Sequence, residues 1–253
     1  MAFELYVGEF MQTAEYKLSY TTTDEVTKPM PVIIVAAGSS VRMQGISKQF
    51  ISINGIPAIV HTMLAFQRSA KISNIILVTK DEFILQMQKL VLEYEITKLS
   101  DIVVGGNTRQ ESVKNGLNRV KNEDFVLIHD GARPLVTDEI ISHVCAELNC
   151  NDAVVCAVKV KDTVKRVDRD NCVLETLKRD ELISVQTPQG VNLAKYKTAL
   201  ETVPCADFTD DASIMEAAGY KVKTVEGDYT NIKITTPEDI VLAEYYLKKR
   251  GAV

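Results

Sequence analysis

The chain has no basic excess: 29 Lys and Arg stand against 34 Asp and Glu, for a net charge of -5. Without surplus cations it lacks the electrostatic footprint of a general nucleic-acid or membrane-surface binder. Its five cysteines (Cys145, Cys150, Cys156, Cys172 and Cys205) are odd in number, and none stands in C-x-x-C spacing. That argues against a disulfide frame or a cysteine zinc site and predicts reduced thiols in a cytoplasmic protein. No apolar run approaches the roughly 20 residues that cross a bilayer, and the first residues lack signal-peptide architecture. Two nucleotide motifs are missing as well. The glycine-rich loop after residue 37 is followed by no Gly-Lys-Ser/Thr and is not G-x-G-x-x-G, so neither a P-loop ATPase nor a dinucleotide dehydrogenase is supported. The three histidines (His61, His129 and His143) allow no Ser-His-Asp or Cys-His arrangement by spacing. His129 reads as a packed strand residue.

What is present is an alternation of strands and helices. At 253 residues and 46% hydrophobic, the chain is long enough to bury a substantial core. Residues 1–30 stand outside the pattern, with Tyr6, Phe10, Tyr16 and Tyr20 scattered among polar residues, and read as an extension without an assigned role. From Pro31 the chain reads as one domain, 31–253. The run Val32-Ile33-Ile34-Val35-Ala36-Ala37 is uniformly apolar, as a strand buried on both faces must be. Further strands are expected at 75–78, 102–104, 125–128 and 153–158, and near Val222 and Ile232. Helical spacing covers 57–68, 82–94 and 109–120, with more helices from Asn192, from Thr209 and after Thr236. The segment Thr236-Pro237-Glu238-Asp239 is a helix start with a Thr cap, Pro at the first position and an acid three after the cap. Such alternation predicts an α/β fold with a doubly wound, mainly parallel sheet. Residues 159–189 break the rhythm, reading as a polar-faced β-hairpin arm around a turn at 168–171. Its unpaired edges need covering, and a second copy of the chain would cover them.

Polar residues collect at the carboxyl ends of the strands, the face on which open α/β sheets bind ligands. Gly38, Arg42 and Lys48 follow the first strand. Small residues there let a backbone approach closely, and two cations can neutralise phosphate. Alone, that stretch fits an ordinary βα turn with solvated cations equally well. Gly105, Gly106, Asn107, Arg109 and Ser112 follow the third strand, and Asp130 to Pro134 the fourth. An acid at a strand end beside a phosphate loop is a natural ligand for magnesium carrying a nucleotide phosphate, although Asp130 alone also suits a turn. Asp210 and Asp211 fit either a metal contact or a helix cap, with the cap favoured.

In order along the chain, AAGSSVRM, GGNTRQESV, HDGARP, VKDTVKR, QTPQ, TDDAS and EGDYTNIKITTPED resemble the 2-C-methyl-D-erythritol 4-phosphate cytidylyltransferase family of nucleotidyltransferases. The resemblance spans nearly everything beyond the extension. It implies a Rossmann-like nucleotidyltransferase that uses CTP with Mg²⁺ and works as a homodimer with exchanged arms. By the same resemblance Ala36, Ala37 and Gly38 hold the triphosphate, with Arg42, Lys48 and Lys233 as the catalytic cations. Gly106, Asn107 and Ser112 read cytosine and ribose. Asp130 contacts the metal or the polyol phosphate, and Arg133 lies near that phosphate. Thr163 and Arg179 reach it from the partner's arm. Asn107 stands where the family commonly has Asp, and Gly131 where it commonly has Ala. The ribitol-5-phosphate enzyme and a non-catalytic nucleotide-binding subunit are the alternatives at this point.

Overall fold

The computed structural model describes residues 28–38, 47–203 and 208–251. Its centre is a seven-stranded sheet. In chain order the strands are β1 (Met30–Val35), β4 (Ile72–Thr79), β5 (Leu99–Val104), β6 (Phe125–Asp130), β7 (Ala153–Lys159), β10 (Ile183–Asn192) and β11 (Val222–Glu226). Two short pairs stand apart from it, β2 (Ser52–Ile53) with β3 (Ile56–Pro57) and β8 (Lys165–Val167) with β9 (Val173–Thr176). The spatial order across the sheet is β11-β7-β10-β6-β1-β4-β5. Only β10 runs against its neighbours β6 and β7; the other pairings are parallel.

The alternation of side chains along a strand explains how helices come to cover both faces. Val32 and Ile34 of β1 point into one layer, where they meet α1 (Ala58–Arg68), α2 (Ile84–Glu93) and α4 (Asp138–Leu148). Ile33 points the other way, into a layer built with α3 (Arg109–Leu117), α5 (Leu193–Thr202) and α6 (Asp211–Ala217). A third, smaller cluster forms where α7 (Pro237–Lys249) packs Ala243 and Leu247 against Ile53, Leu135 and Ile234. The doubly wound reading is therefore correct, and the apolar run of β1 is apolar because both faces are covered.

The structure departs from the sequence reading in three places. Residues 138–148 form α4, which the reading left without an element, although Thr137 caps it and Asp138 and Glu139 occupy its first turn. No strand forms at Ile232; the segment crosses as irregular backbone, with the Ile234 N–H donating to the Ala132 carbonyl at 2.8 Å. The paired hairpin is also shorter than 159–189. Only β8 and β9 pair there, while Ile183 onward joins the main sheet as β10 between β6 and β7. A proline within the run Val185-Gln186-Thr187-Pro188 argues against a central strand by propensity, and the register does shift between Val185 and Gln189.

Gly116 shows how closely α3 rides on the sheet. A Cβ at this position would lie 2.7 Å from Ile33 Cγ2 and 3.1 Å from Val78 Cγ2. A buried helical glycine normally loses about 1 kcal/mol to alanine, whereas overpacking a tight contact costs about 1–3 kcal/mol. Gly116→Ala is therefore expected to destabilise the protein by about 1 kcal/mol, read from the urea unfolding midpoint. A more stable variant would show that the helix can lift away freely.

Candidate active site

At the carboxyl ends of β1, β4, β5 and β6 lies a cleft of about 530 Å³, lined by Ala36, Ala37, Gly38, Lys48, Gly105, Gly106, Asn107, Arg109, Ser112, Asp130 and Lys233 among others. Its wall after β5 is a capped helix start. The Thr108 hydroxyl accepts the Glu111 N–H at 3.0 Å, and the Glu111 carboxylate reaches back to accept the Asn107 N–H at 2.6 Å. Ser112 is buried, accepting from the Gly106 N–H at 3.1 Å and donating to the Thr108 carbonyl at 2.9 Å. These bonds hold Gly106 and Asn107 in one conformation. Gly105 has no room for a side chain, since a Cβ there would fall 2.3 Å from that of Ala37. The first strand loop and the third therefore touch, backbone against side chain, at the cleft floor.

Asp130 closes β6 and is the electrostatic centre. Lys233 Nζ lies 2.8 Å from Oδ2, Arg109 Nε 3.5 Å from Oδ1 and Arg133 Nε 3.8 Å from Oδ2. Lys233 and Arg109, with Arg133 behind them, hold the carboxyl well below the usual carboxylate range against the cost of burial. Arg133 also donates to the Asn231 carbonyl at 2.8 Å, tying the turn after β6 to the segment that carries Lys233.

His129, fully buried one residue earlier, organises that turn. Desolvation pushes its pKa down to about 3, so the ring is neutral at any working pH. Nε2 lies 3.1 Å from the Arg133 carbonyl, which only accepts, so Nε2 carries the proton. Nδ1 is then an acceptor for the Thr187 hydroxyl at 3.0 Å, and Thr187 Oγ1 accepts the Asp130 N–H at 3.1 Å. One neutral ring thus fixes both ends of the Asp130 turn. The reading of His129 as a packed residue is right about burial and incomplete about role.

Most residues singled out from the sequence converge on this cleft: Ala36, Ala37, Gly38, Lys48, Gly106, Asn107, Ser112, Asp130 and Lys233 all line it. Arg133 stands behind Asp130. Thr163 and Arg179 sit exposed on the arm, where Arg179 donates to the Lys161 carbonyl at 2.9 Å, and neither lines the cleft of its own chain. Arg42 falls outside the described residues. Asp210 caps α6, accepting the Ser213 N–H at 3.1 Å, as favoured; Asp211 instead pairs with Arg109 at 2.7 Å. Thr187, Gln189 and Tyr196 went unassigned. They meet the site only through strand pairing and helix packing, and no local spacing in the sequence signals that.

An α/β protein with a cation-bearing cleft at its parallel strand ends falls in the class of open-sheet proteins that bind ligands at that edge, and the charge suits an anionic one. The family model described as IspD, 2-C-methyl-D-erythritol 4-phosphate cytidylyltransferase, matches residues 30–249. The chain belongs to that family. A Clostridium novyi protein named 2-C-methyl-D-erythritol 4-phosphate cytidylyltransferase is 46% identical over 222 residues, spanning 85% of this chain and 95% of the relative. Among solved structures, the 4-diphosphocytidyl-2C-methyl-D-erythritol synthase of Anaerococcus prevotii is 34% identical with a TM-score of 0.78, covering 88% of this chain and 97% of that one. The Thermus thermophilus cytidylyltransferase is 28% identical with a TM-score of 0.72, covering 87% and 100%.

The neutral His129 has a consequence for stability. Unfolded, the ring takes a proton near pH 6.5; folded, amid Asp130, Arg133 and Lys233, it stays neutral down to about 3. The unfolded state therefore binds more protons as pH falls through that window, and stability drops by up to about 1.4 kcal/mol per unit. Asp130 has the matching dependence lower down, adding stability above its ordinary range and losing it as pH falls further. Urea midpoints between pH 6.5 and 4.5 are expected to fall distinctly less steeply for His129→Gln than for the wild type. Equal slopes would mean that the ring accepts a proton in place.

Proposed function

We propose that the protein transfers a cytidylyl group from CTP to 2-C-methyl-D-erythritol 4-phosphate, releasing pyrophosphate and 4-diphosphocytidyl-2-C-methyl-D-erythritol. The observation that supports this most is the cluster of cations around Asp130 in a cleft whose wall includes Gly38, Gly105, Gly106 and Gly131. The acceptor is a phosphate monoester, already ionised at neutral pH, so no general base is required. Its oxygen attacks the α-phosphorus in line; that bond forms as the bond to the β-phosphate oxygen breaks, and pyrophosphate leaves. The catalytic burden is bringing two anions together and neutralising growing charge. Lys48 and Arg42 serve the leaving pyrophosphate, Lys233 the α-phosphate, and Asp130 with Arg133 the acceptor side. Gly106, Asn107 and Ser112 form the wall that reads cytosine and ribose, and its internal hydrogen bonds keep it rigid.

A divalent ion fits the donor set at Asp130. Oδ2 is taken by Lys233 at 2.8 Å, while Oδ1 has a longer contact, 3.5 Å to Arg109, and keeps capacity for a metal. Among the described residues no group of three His, Cys, Asp or Glu could hold a metal unaided. A hard cation bringing phosphate and water ligands with the nucleotide suits a single carboxylate. Bound there, Mg²⁺ would neutralise phosphate charge.

We further propose a homodimer in which each arm completes the other chain's site. Val167, Val173 and Leu174 on β8 and β9 are all about half exposed or more, an apolar load that a solvated hairpin does not carry without a cover. Thr163 and Arg179 ride on this arm, and Arg179 suits bidentate binding of the acceptor phosphate. Buried, unpaired Cys145 and Cys156 and exposed, unpaired Cys150 and Cys172 suit the cytoplasm.

The deciding assay is pyrophosphate release from CTP, expected only with methylerythritol phosphate and Mg²⁺ both present, and weak with ribitol 5-phosphate. UTP should serve poorly, because the uracil edge swaps a donor for an acceptor and leaves a buried group unpaired. Strong use of ATP would sink the reading. Lys48→Ala is expected to fold normally and lose turnover by several orders of magnitude, the lost charge acting on the transition state. Arg179→Ala should likewise be nearly inactive. Refolded together, the two variants should regain up to roughly a quarter of wild-type activity, since each heterodimer holds one intact site. No recovery from a mixture shown by mass spectrometry to contain heterodimers would put Arg179 outside the partner's site.

A further inference from the structure

Arg109 occupies a position that local electrostatics disfavours. It is the first residue of α3, directly after the Thr108 cap, where the helix dipole presents its positive end. A cation there is disfavoured unless counter-charge lies close by. Two carboxylates supply it. Asp211 Oδ2 lies 2.7 Å from Nη2, and Asp130 Oδ1 lies 3.5 Å from Nε. The shorter bond is not to the cleft carboxylate but to a side chain from α6, more than a hundred residues further along.

Asp211 is held with unusual thoroughness. Its side chain is fully buried, and its other oxygen accepts the Tyr196 hydroxyl at 2.6 Å from α5. Gln189 of β10 accepts the N–H groups of both Asp211 and Ala212 at 3.0 Å and donates to Asp210 at 2.8 Å, fastening the start of α6 to the sheet. Capping α6 does not account for the Asp211 carboxylate, because Asp210 does that. Stability does not account for it well either. Burying a carboxylate and a guanidinium together often gains nothing over an apolar pair of the same volume, while such a pair does fix geometry. What the arrangement delivers is one guanidinium at one place beside Asp130.

We propose that Asp211, itself oriented by Tyr196, is a positioning residue of the cytidylyl-transfer site, acting through Arg109 on the Asp130–Lys233 pair. The line Tyr196, Asp211, Arg109, Asp130, Lys233 alternates donor and acceptor from the buried face of α5 to the open cleft. Asp211 keeps Arg109 from collapsing onto Asp130, so that Asp130 is shared with Lys233 and not captured by a second short ion pair. Without Asp211 the guanidinium closes the 3.5 Å gap, Asp130 shifts toward it, and Lys233 loses its partner and its aim. Neither Asp211 nor Tyr196 lines the cleft, so both act only through the residues between. The proposal rests on the cytidylyl-transfer reading above.

The test combines kinetics with a double-mutant cycle on Asp211→Asn, Arg109→Met and the double variant, each with its melting temperature and CTP affinity by calorimetry. A displacement near 1 Å at a positioning group can cost about 100-fold in rate. Asp211→Asn is therefore expected to lower kcat by about that factor, with the calorimetric Kd for CTP moving much less. Adding Asp211→Asn to Arg109→Met should cost little more, because the path is already cut. Tyr196→Phe, which keeps the carboxylate, should fold and lose kcat severalfold, and it carries the test if Asp211→Asn does not fold. Losses that multiply in the double variant overturn the proposal. So does a folded Asp211→Asn or Tyr196→Phe with wild-type kcat. If wild-type protein itself releases no pyrophosphate, the functional reading fails first, and the positioning claim with it.

Discussion

The site depends on one buried carboxylate being outnumbered. Asp130 sits at the end of β6 with Lys233, Arg109 and Arg133 gathered round it. Each cation comes from a different part of the chain: the start of α3, the turn after β6, and the stretch before α7. A cleft that collects positive charge must also hold together with no anion bound. Asp130 resolves that conflict. It gives the cations a common partner in the free protein, and its charge is locked on because they hold its pKa down. Even with Asp211 as a second partner for Arg109, three cations face two buried carboxylates, so positive charge is left over. The overall charge of -5 therefore does not describe the charge inside the cleft.

The antiparallel strand β10 turns this local cluster into a rigid one. Between β6 and β7 it places Thr187 beside the end of β6, where the hydroxyl bridges the Asp130 N–H and the His129 ring. Two residues on, Gln189 fastens α6. One strand thus supports Asp130 from its backbone side and, through Asp211 and Arg109, from its side-chain side. A parallel strand at that place would need a long crossover. An antiparallel one arrives directly from the arm, so the element carrying Arg179 continues straight into the strand that steadies Asp130.

What could be read from the sequence, and what could not, follows from how far each signal travels along the chain. Strands β1, β4, β6 and β7 announce themselves by apolar runs, because burial on both faces leaves little other composition, whereas the edge strand β5 is half-exposed, carries Ser100 and Asp101, and shows only Ile102-Val103-Val104. The cap and acid at Thr236 and Asp239 announce α7, and the structure shows the Asp239 carboxylate accepting the Thr235 and Thr236 N–H groups at 2.7 and 2.8 Å. The strand β10 does not announce itself. Gln186, Thr187 and Gln189 are polar, and they are buried because their side chains hydrogen-bond around the site and not in the core. Helix α4 does carry a local signature, the Thr137 cap with Asp138 and Glu139 in its first turn. The Arg109–Asp211 and Thr187–His129 contacts span 102 and 58 residues. No local pattern encodes partners at that range, so Arg109, Asp211 and His129 stand out but cannot be paired, and Thr187 carries no role of its own in the sequence.

The direction of the pKa shifts also fits the chemistry. Acid–base enzymes move groups toward neutrality, so that a proton can be taken and returned. Here the buried groups around the cleft move the other way. His129 is pushed down to about 3, Cys156 behind Arg133 up to about 12, Asp130 lower than a carboxylate's usual range and Tyr196 higher than a phenol's. None of these four can exchange a proton near pH 7. Each is fixed as a neutral hydrogen-bonding group or a permanent charge. That arrangement would be poor for hydrolysis by a general base. It suits a reaction in which the nucleophile arrives already ionised and the protein has only to hold charges still while a phosphoryl centre changes partners.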